Sequence, residues 1–261
     1  MATFDAHVRR VTEYVDALRT MGRPTRQFAV ASSIEALTDG LPVRVGPGAN
    51  PNIILRGDTF IELGSPEAGS CALALWTDTP SLIRDGQITL VGPDMPEAPG
   101  ATLPFGQVVL VGGTELSPAD HQSVGQAQYV ADQIEGYMVR ATSRNVWSRV
   151  SKDAAAKGFG FEALGRALMA IYRSTVPRVQ AMEIVFVTTN KDDVLGLEDI
   201  AGGVRDRGAE IVKDQWKARG FDLDCDLDCR SCHDKDVCDD VRKLIAGRMR
   251  KKRKAAARRV A

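Results

Sequence analysis

The run Met182-Glu183-Ile184-Val185-Phe186-Val187 is apolar at five of its six positions and does not alternate. A strand of that texture needs apolar cover on both faces, so a sheet with one wet side cannot hold it. The flanking segments have the period to supply that cover. Residues 152–173 put Phe161, Leu164, Leu168 and Ile171 on one helical face, with Gly158 and Gly160 as interruptions, and a further helix is predicted from about residue 198 to 218, ending near Gly220. The order helix, buried strand, helix predicts an α/β layer packed beside another sheet.

That other sheet is expected between residues 41 and 113, where the short β-rich runs VRV, NIIL, TFIEL, CALALW, QITLV and QVVLV are separated by Gly and Pro. The segments DGQITLVGPDM and PFGQVVLVGG repeat a turn, strand, turn pattern about twenty residues apart. Two similar strands do not make a repeat protein. Ahead of them, Phe4, Val8, Val11, Val15 and Leu18 mark an amphipathic helix over residues 4–20, closed by Gly22 and Pro24. Ser117-Pro118 and Asp120 are suited to open another helix, predicted over 117–144 with Val124, Ala127, Ala131, Ile134 and Met138 as its buried stripe.

The expected fold class is therefore α/β: a mixed β-sheet region followed by an α/β layer, with a C-terminal cysteine-rich metal-binding loop. The predicted organisation is an N-terminal helical segment (1–40), a β-rich region (41–117), an α/β region (118–220), the cysteine loop (221–240) and a basic tail (241–261).

Composition excludes several classes. With 261 residues, 44% hydrophobic and 26% charged, the chain matches an ordinary globular protein of one large or two modest domains. No run approaches the roughly 18 apolar residues of a membrane span, and MATFDAHVRR lacks the apolar core of a secretory signal. The expectation is a cytoplasmic protein with no membrane span.

The 34 basic and 34 acidic residues balance overall but not locally. Residues 222–240 carry eight Asp against Arg230 and Lys235, and residues 241–261 carry ten Lys or Arg and no acid. The tail has no interleaved aromatic residue, so it reads as a solvated basic segment and nucleic acid is not an expected partner.

Four of the five cysteines fall in the pattern Cys225-x3-Cys229-x2-Cys232-x5-Cys238, and Cys71 stands apart. Clustered thiols in a chain without an export signal point to a metal rather than to disulfides. Four thiolates complete the shell of a [4Fe-4S] cube or a tetrahedral zinc. Structural zinc sites usually pair two C-x2-C knuckles, whereas here there is one, Cys229-x2-Cys232, which favours the iron-sulfur cluster and leaves zinc as the alternative. Asp222, Asp224, Asp226 and Asp228 would raise the thiol pKa values by like charge, or form a solvated acidic loop.

The first three cysteines also spell C-x3-C-x2-C, the string of radical S-adenosylmethionine enzymes, but those enzymes follow it with a long barrel and 29 residues follow Cys232 here. His233, within the loop, is a solvent-facing residue or a reserve ligand, and His7 and His121 lie far from it in sequence. Gly112-Gly113 lacks the Gly-rich phosphate patterns and reads as a plain turn. No Ser-His-Asp order, H-E-x-x-H string or catalytic carboxylate pair stands out.

From about residue 85 to 238 the chain resembles the CO-methylating acetyl-CoA synthases, the β subunits of CO dehydrogenase and acetyl-CoA decarbonylase/synthase complexes. The resemblance is carried, in order, by DGQITLVGPDM, LPFGQVVLVGG, NVWSRVSKDAAAKGF, VQAMEIVFVTT and the cysteine loop ending in Val237-Cys238. It implies a [4Fe-4S] cluster with one thiolate bridging to nickel. The family's set is C-x2-C-x8-C-x9-C. Cys229 and Cys238 keep the x8 gap, Cys225 matches the first ligand after a one-residue insertion within Asp226-Leu227-Asp228, and Cys232 is the candidate for the fourth. None of the 261 residues forms the family's C-G-C segment for an outer nickel, and the large N-terminal CO-delivering region of bacterial members has no counterpart. These residues are therefore not expected to assemble acetyl groups unaided.

The family's middle domain is associated with coenzyme A, which makes Arg144, Trp147 and Arg149 the candidate cofactor-binding residues. Guanidinium forks suit phosphates and an indole face suits an adenine ring, while a core anchor with surface arginines is the plainer reading. The resemblance thus implies an iron-sulfur protein of C1/acyl-CoA metabolism that transfers a metal-bound carbonyl or acyl group to a thiol. Its partners would be other protein subunits and a small acyl or CoA ligand, with nickel as a further metal at the Cys229 thiolate. A [4Fe-4S] subunit that only transfers electrons or organises a larger enzyme is the second reading.

Overall fold

The computed structural model describes residues 4–49, 53–114, 117, 120, 123–124, 133–141 and 146–218. They fall into two compact units, Met1–Arg207 and one beginning at Gly208, of which residues 208–218 are described. The cysteine loop, Arg144, His121, the basic tail and most of the segment 117–132 lie outside the described residues.

The first helix, α1 (Asp5–Thr20), buries Val8, Val11 and Leu18 as its spacing predicts. Strand β1 (Thr25–Ala29) follows, then the short α2 (Ile34–Thr38), whose Ala36 N–H donates to the capping Ser33 Oγ at 3.2 Å. Strands β2 (Thr59–Leu63), β3 (Ser70–Thr77), β4 (Gln87–Val91), β5 (Thr102–Leu103) and β6 (Phe105–Gly112) come next. The remaining elements are β7 (Tyr137–Ala141), β8 (Val146–Ser151), α3 (Lys152–Ala156), α4 (Phe161–Thr175), β9 (Ala181–Val187) and α5 (Lys191–Ala218).

Two mixed sheets result, and the α/β class with mixed sheets holds. The first has the order β1-β4-β9-β6-β3, in which β9 runs parallel to β4 and antiparallel to β6. All seven residues of β9 are buried. This corrects the expectation of an α/β layer beside an earlier sheet: β9 is the central strand of the same sheet as β4 and β6. The physical reason is the texture of the run itself, since only an interior position with cover on both faces removes so much apolar surface from water.

One face of that sheet carries Ile88, Leu90, Ile184 and Phe186 into a core shared with Phe161, Leu164, Leu168 and Ile171 of α4. Phe161 and Phe186 stack tilted with ring centroids 4.9 Å apart, and Phe105 lies 6.0 Å from Phe161. On the other face, Val11 and Val15 of α1 lie with Thr89, Leu110, Glu183 and Val185 around a cavity of about 10 Å³.

The second sheet has the order β5-β2-β8-β7. Here a second expectation is overturned. Residues 137–141, predicted as the end of a helix over 117–144, form β7 and pair antiparallel with β8 in the register Tyr137 to Val150 and Ala141 to Val146. Gly136 sits between, at a φ of +72°, a left-handed conformation that ends any helix approaching from the N-terminal side. VRV and NIIL, expected as strands, are not strands over their described residues; Val45 makes an isolated bridge to Ile134.

The final helix starts at Lys191 rather than near residue 198. Asn190 explains the earlier start: its Oδ1 accepts the Asp193 N–H at 2.9 Å, and its Nδ2 donates to Asp193 Oδ2 at 3.0 Å. Among the described residues no helix is long and apolar enough to cross a membrane.

Candidate functional site

Alternation along β8 decides which of its residues can meet a ligand. Ser148 and Val150 are fully buried and face the interior, so Trp147 and Arg149 stand on the outer side, each partly exposed. The Arg149 guanidinium carbon lies 4.5 Å from the centroid of the Trp147 ring, a cation-π stack. Glu62, directly opposite Arg149 in the β2–β8 register, accepts from Arg149 Nε at 3.0 Å, and Arg149 Nη1 donates to the Ile54 carbonyl at 3.3 Å.

The arginine is therefore held by a carboxylate, a backbone carbonyl and an indole face at once. With its side chain 14% exposed, it works as a clamp that fixes the indole plane as well as a charge near the surface. Sequence reasoning missed Glu62. The signal was present, since it is the single acid in the otherwise uncharged strand TFIEL, and strand period sets it on the outer face.

The strand hands over directly to a helix. Ser151 Oγ accepts the Ala154 N–H at 3.1 Å and starts α3, and Lys152 Nζ donates to the Gly57 carbonyl at 2.7 Å. This joins the 53–58 segment to the rim of the Trp147 face. Ile53 and Leu55 on that segment are 68% and 63% exposed, so the rim is apolar as well as cationic.

An open cleft of about 710 Å³ lies elsewhere, lined by Leu41, Pro42, Val43, Arg44, Glu135 and Lys157 among others. Its two cations converge on one carboxylate: Arg44 Nε and Lys157 Nζ lie 3.0 and 3.2 Å from Glu135. The Arg44 backbone N–H and side chain, reinforced by Lys157, hold the Glu135 carboxyl down at about 2.

Of the remaining candidates, Gly112 and Gly113 form no phosphate cradle. The Gly113 N–H donates to the Thr77 carbonyl at 3.1 Å, and the Gly112 carbonyl accepts from the Gln180 N–H at 2.9 Å. His7 lies on α1 against Gly203, and its pKa is lowered by burial and by Arg10. Cys225, Cys229, Cys232 and Cys238 fall outside the described residues, as does Arg144. Among the described residues no three His, Cys, Asp or Glu side chains come together as a metal would require.

Residues 41–194, which include the whole Trp147 face, match the family model of the CO dehydrogenase/acetyl-CoA synthase complex beta subunit. The acetyl-CoA decarbonylase/synthase complex subunit beta 2 of Methanosarcina mazei is 31% identical over 205 residues, 77% of this chain and 39% of that protein. The subunit beta of Archaeoglobus fulgidus is 27% identical over 201 residues, covering 73% of this chain and 36% of the relative. The carbon monoxide dehydrogenase/acetyl-CoA synthase subunit alpha of Moorella thermoacetica is 33% identical over 166 residues, 62% of this chain and 22% of that protein. The chain spans about two fifths or less of the length of these relatives. By the extent of the family match and by these identities, the chain belongs to the CO dehydrogenase/acetyl-CoA synthase complex beta-subunit family.

Proposed function

We propose that this chain is an iron-sulfur protein of C1/acyl-CoA metabolism, which binds the nucleotide end of coenzyme A on the outer face of the second sheet and serves carbonyl or acyl transfer to its thiol. The observation that carries the reading is the Trp147 indole, partly exposed and set at a fixed angle by Arg149, within the segment that matches the family. An indole face offers a platform for an adenine ring, and the adjacent cations favour its phosphates. Arg149 orients the indole and adds local positive potential, Glu62 holds Arg149, and Arg144 is the candidate phosphate fork.

In the same reading Cys225, Cys229, Cys232 and Cys238 hold one [4Fe-4S] cluster. Nickel bound at the Cys229 thiolate would supply a carbonyl-binding metal. The relatives are named as subunits of decarbonylase/synthase complexes, which supports protein partners for this chain. The second reading, a non-catalytic electron-transfer or scaffold subunit, is favoured by the ligand count, because four thiolates on one cube leave no open iron.

Anaerobically purified protein tests both parts. It should be brown, with about four iron and four sulfide per chain, and Cys238→Ser should bleach it. Nickel near one per chain selects the catalytic reading, and iron alone the accessory one. Calorimetric titration with coenzyme A should show binding that Trp147→Ala weakens roughly tenfold or more. A colourless protein with one zinc overturns the cluster, and unchanged affinity in Trp147→Ala overturns the nucleotide face.

A further inference from the structure

Strand β1 forms one edge of the first sheet, with β4 on one side and no strand among the described residues on the other. The bonds at its two ends fix which way its backbone groups point. The Gly92 N–H donates to the Pro24 carbonyl at 2.8 Å, and the Val30 N–H donates to the Gly86 carbonyl at 2.8 Å. In the antiparallel register Arg26 and Phe28 therefore turn their N–H and C=O groups toward β4, and Thr25, Gln27 and Ala29 turn theirs outward. These outward groups have no hydrogen-bond partner among the described residues, and Gln27 and Ala29 are exposed to solvent.

Proteins usually blunt such an edge with a bulge, a proline or an unpaired charge. None of these blunts β1. Its register with β4 runs from Thr25–Val91 to Ala29–Gln87 without a shift. Pro24 lacks an N–H, but it sits at an inward-turned position and leaves the outward row intact. The one charge on the strand, Arg26, is held by both carboxylate oxygens of Glu97 at 2.8 and 2.7 Å, so an approaching strand meets a neutralised pair.

The row is complementary to itself. When two copies pair antiparallel about an axis at Gln27, Thr25 of each stands opposite Ala29 of the other and the two Gln27 residues face each other. Three outward pairs then exchange six hydrogen bonds. Centring the pairing on Arg26 or on Phe28 leaves two such pairs and four bonds, and the first of these also sets Arg26 against Arg26. In the Gln27-centred register no like charges meet, and Arg26 of one copy faces Phe28 of the other where side chains are closest. Both lie on the side of Leu90 and Ile88, and Phe28, packed on the core yet still partly exposed, gains cover.

We infer that the outer edge of β1 is a docking surface for a second copy of this chain, in which β1–β1 pairing centred on Gln27 joins the two first sheets into one. The contact is a single strand pair, so association is reversible and follows concentration. It is independent of the Trp147 face, which belongs to the second sheet.

Sedimentation velocity of the full chain over a concentration series tests this, in anaerobic buffer with reductant so that cysteines cannot link two chains. The average mass should rise from one chain toward two. Gln27→Pro removes an outward N–H and leaves the bonds to β4 in place, so it should weaken the dimer at least tenfold with an unchanged far-UV spectrum. Gln27→Lys and Gln27→Glu should each weaken it several-fold, because like charges then stand opposite. An equimolar mixture of those two should associate at least as well as the parent, since position 27 faces itself. A parent that stays a single chain at every concentration, as it would if the edge serves a strand of another protein, overturns the inference. So does a Gln27→Pro variant that dimerises like the parent, or a mixture no better than its two components. Should Gln27→Pro not fold, the charge-swapped pair decides it alone.

Discussion

The hydroxyl of Tyr14 on α1 donates to the main-chain carbonyl of Asp193, 2.7 Å away in the first turn of α5 and 179 residues later in sequence. The same ring fills the space that a side chain at position 196 would need: a Cβ added to Gly196 would lie 2.2 Å from the Tyr14 oxygen and 2.6 Å from Cζ. The helices approach this closely because Gly196 has no side chain. Burial and the nearby Asp193 push the Tyr14 hydroxyl above its ordinary pKa, so it stays a donor.

Gly196→Ala should therefore lower stability by about 1–3 kcal/mol, the usual cost of overpacking, even though alanine is the better helix former. In a Tyr14→Ala background the same change should be neutral or stabilising. Urea unfolding of the four proteins measures this coupling, and additive effects would remove the steric account.

Arg149→Ala should release the Trp147 plane and cost about 1–2 kcal/mol in lost stacking and charge pairing. In a background with Trp76 and Trp216 replaced by Phe, the Trp147 emission should shift to the red and become easier to quench. Glu62→Gln should give the same optical change at smaller amplitude, because it frees the guanidinium without removing it. An emission spectrum indifferent to both would mean that the clamp does not set the indole.

Glu183 and Glu135 should affect stability in opposite directions with pH. Burial raises the Glu183 pKa, opposed by the Arg84 N–H that donates to its Oε2 at 3.0 Å. For an acid raised in the folded state, the penalty is absent below the unfolded pKa, grows as pH rises from there to the folded pKa, and is constant above. Glu183→Gln should thus stabilise at neutral pH and make no difference in acid well below the ordinary carboxylate pKa. Glu135, held at about 2, contributes stability that is present above the ordinary value of 4.5 and is lost as pH falls through 2. Glu135→Gln should destabilise at neutral pH and match the parent in strong acid. Thermal melts of both variants from acid to neutral pH check the two signs.

Cys71 is pushed up to about 12 by burial, with Glu198 adding to the shift. Its thiol should resist iodoacetamide at mildly alkaline pH in the native chain and react once urea unfolds it. Mass spectrometry of peptides from both states reads the difference, and native modification of Cys71 would contradict the packing of β3 against α5.

Much of this architecture can be read from local pattern. The stripe Val8, Val11, Leu18 gives α1, and the runs at β3, β4, β6 and β9 give strands, because burial enforces the pattern there. The failures have a common physical origin. Ile134 and Met138 sit four apart and read as helix, yet both are buried from non-helical backbone, and Gly136 between them carries the positive φ that helical spacing does not report. VRV and NIIL have strand propensity but lack the partners that make a strand, since pairing is non-local. Of the candidate site, Trp147 and Arg149 were legible, and Glu62 was legible only as a lone outward acid; its pairing with Arg149 was not, because that depends on a register between segments 87 residues apart.

The place of β9 between β4 and β6 governs how the chain can acquire its structure. Until residue 187 is available, the pairs β1–β4 and β3–β6 are separate two-stranded ribbons with nothing between them. Isolated ribbons of that size are at best marginal in water. The keystone arrives late, so the first sheet must close nearly all at once, and a chain cut before residue 181 should not retain a stable half of it.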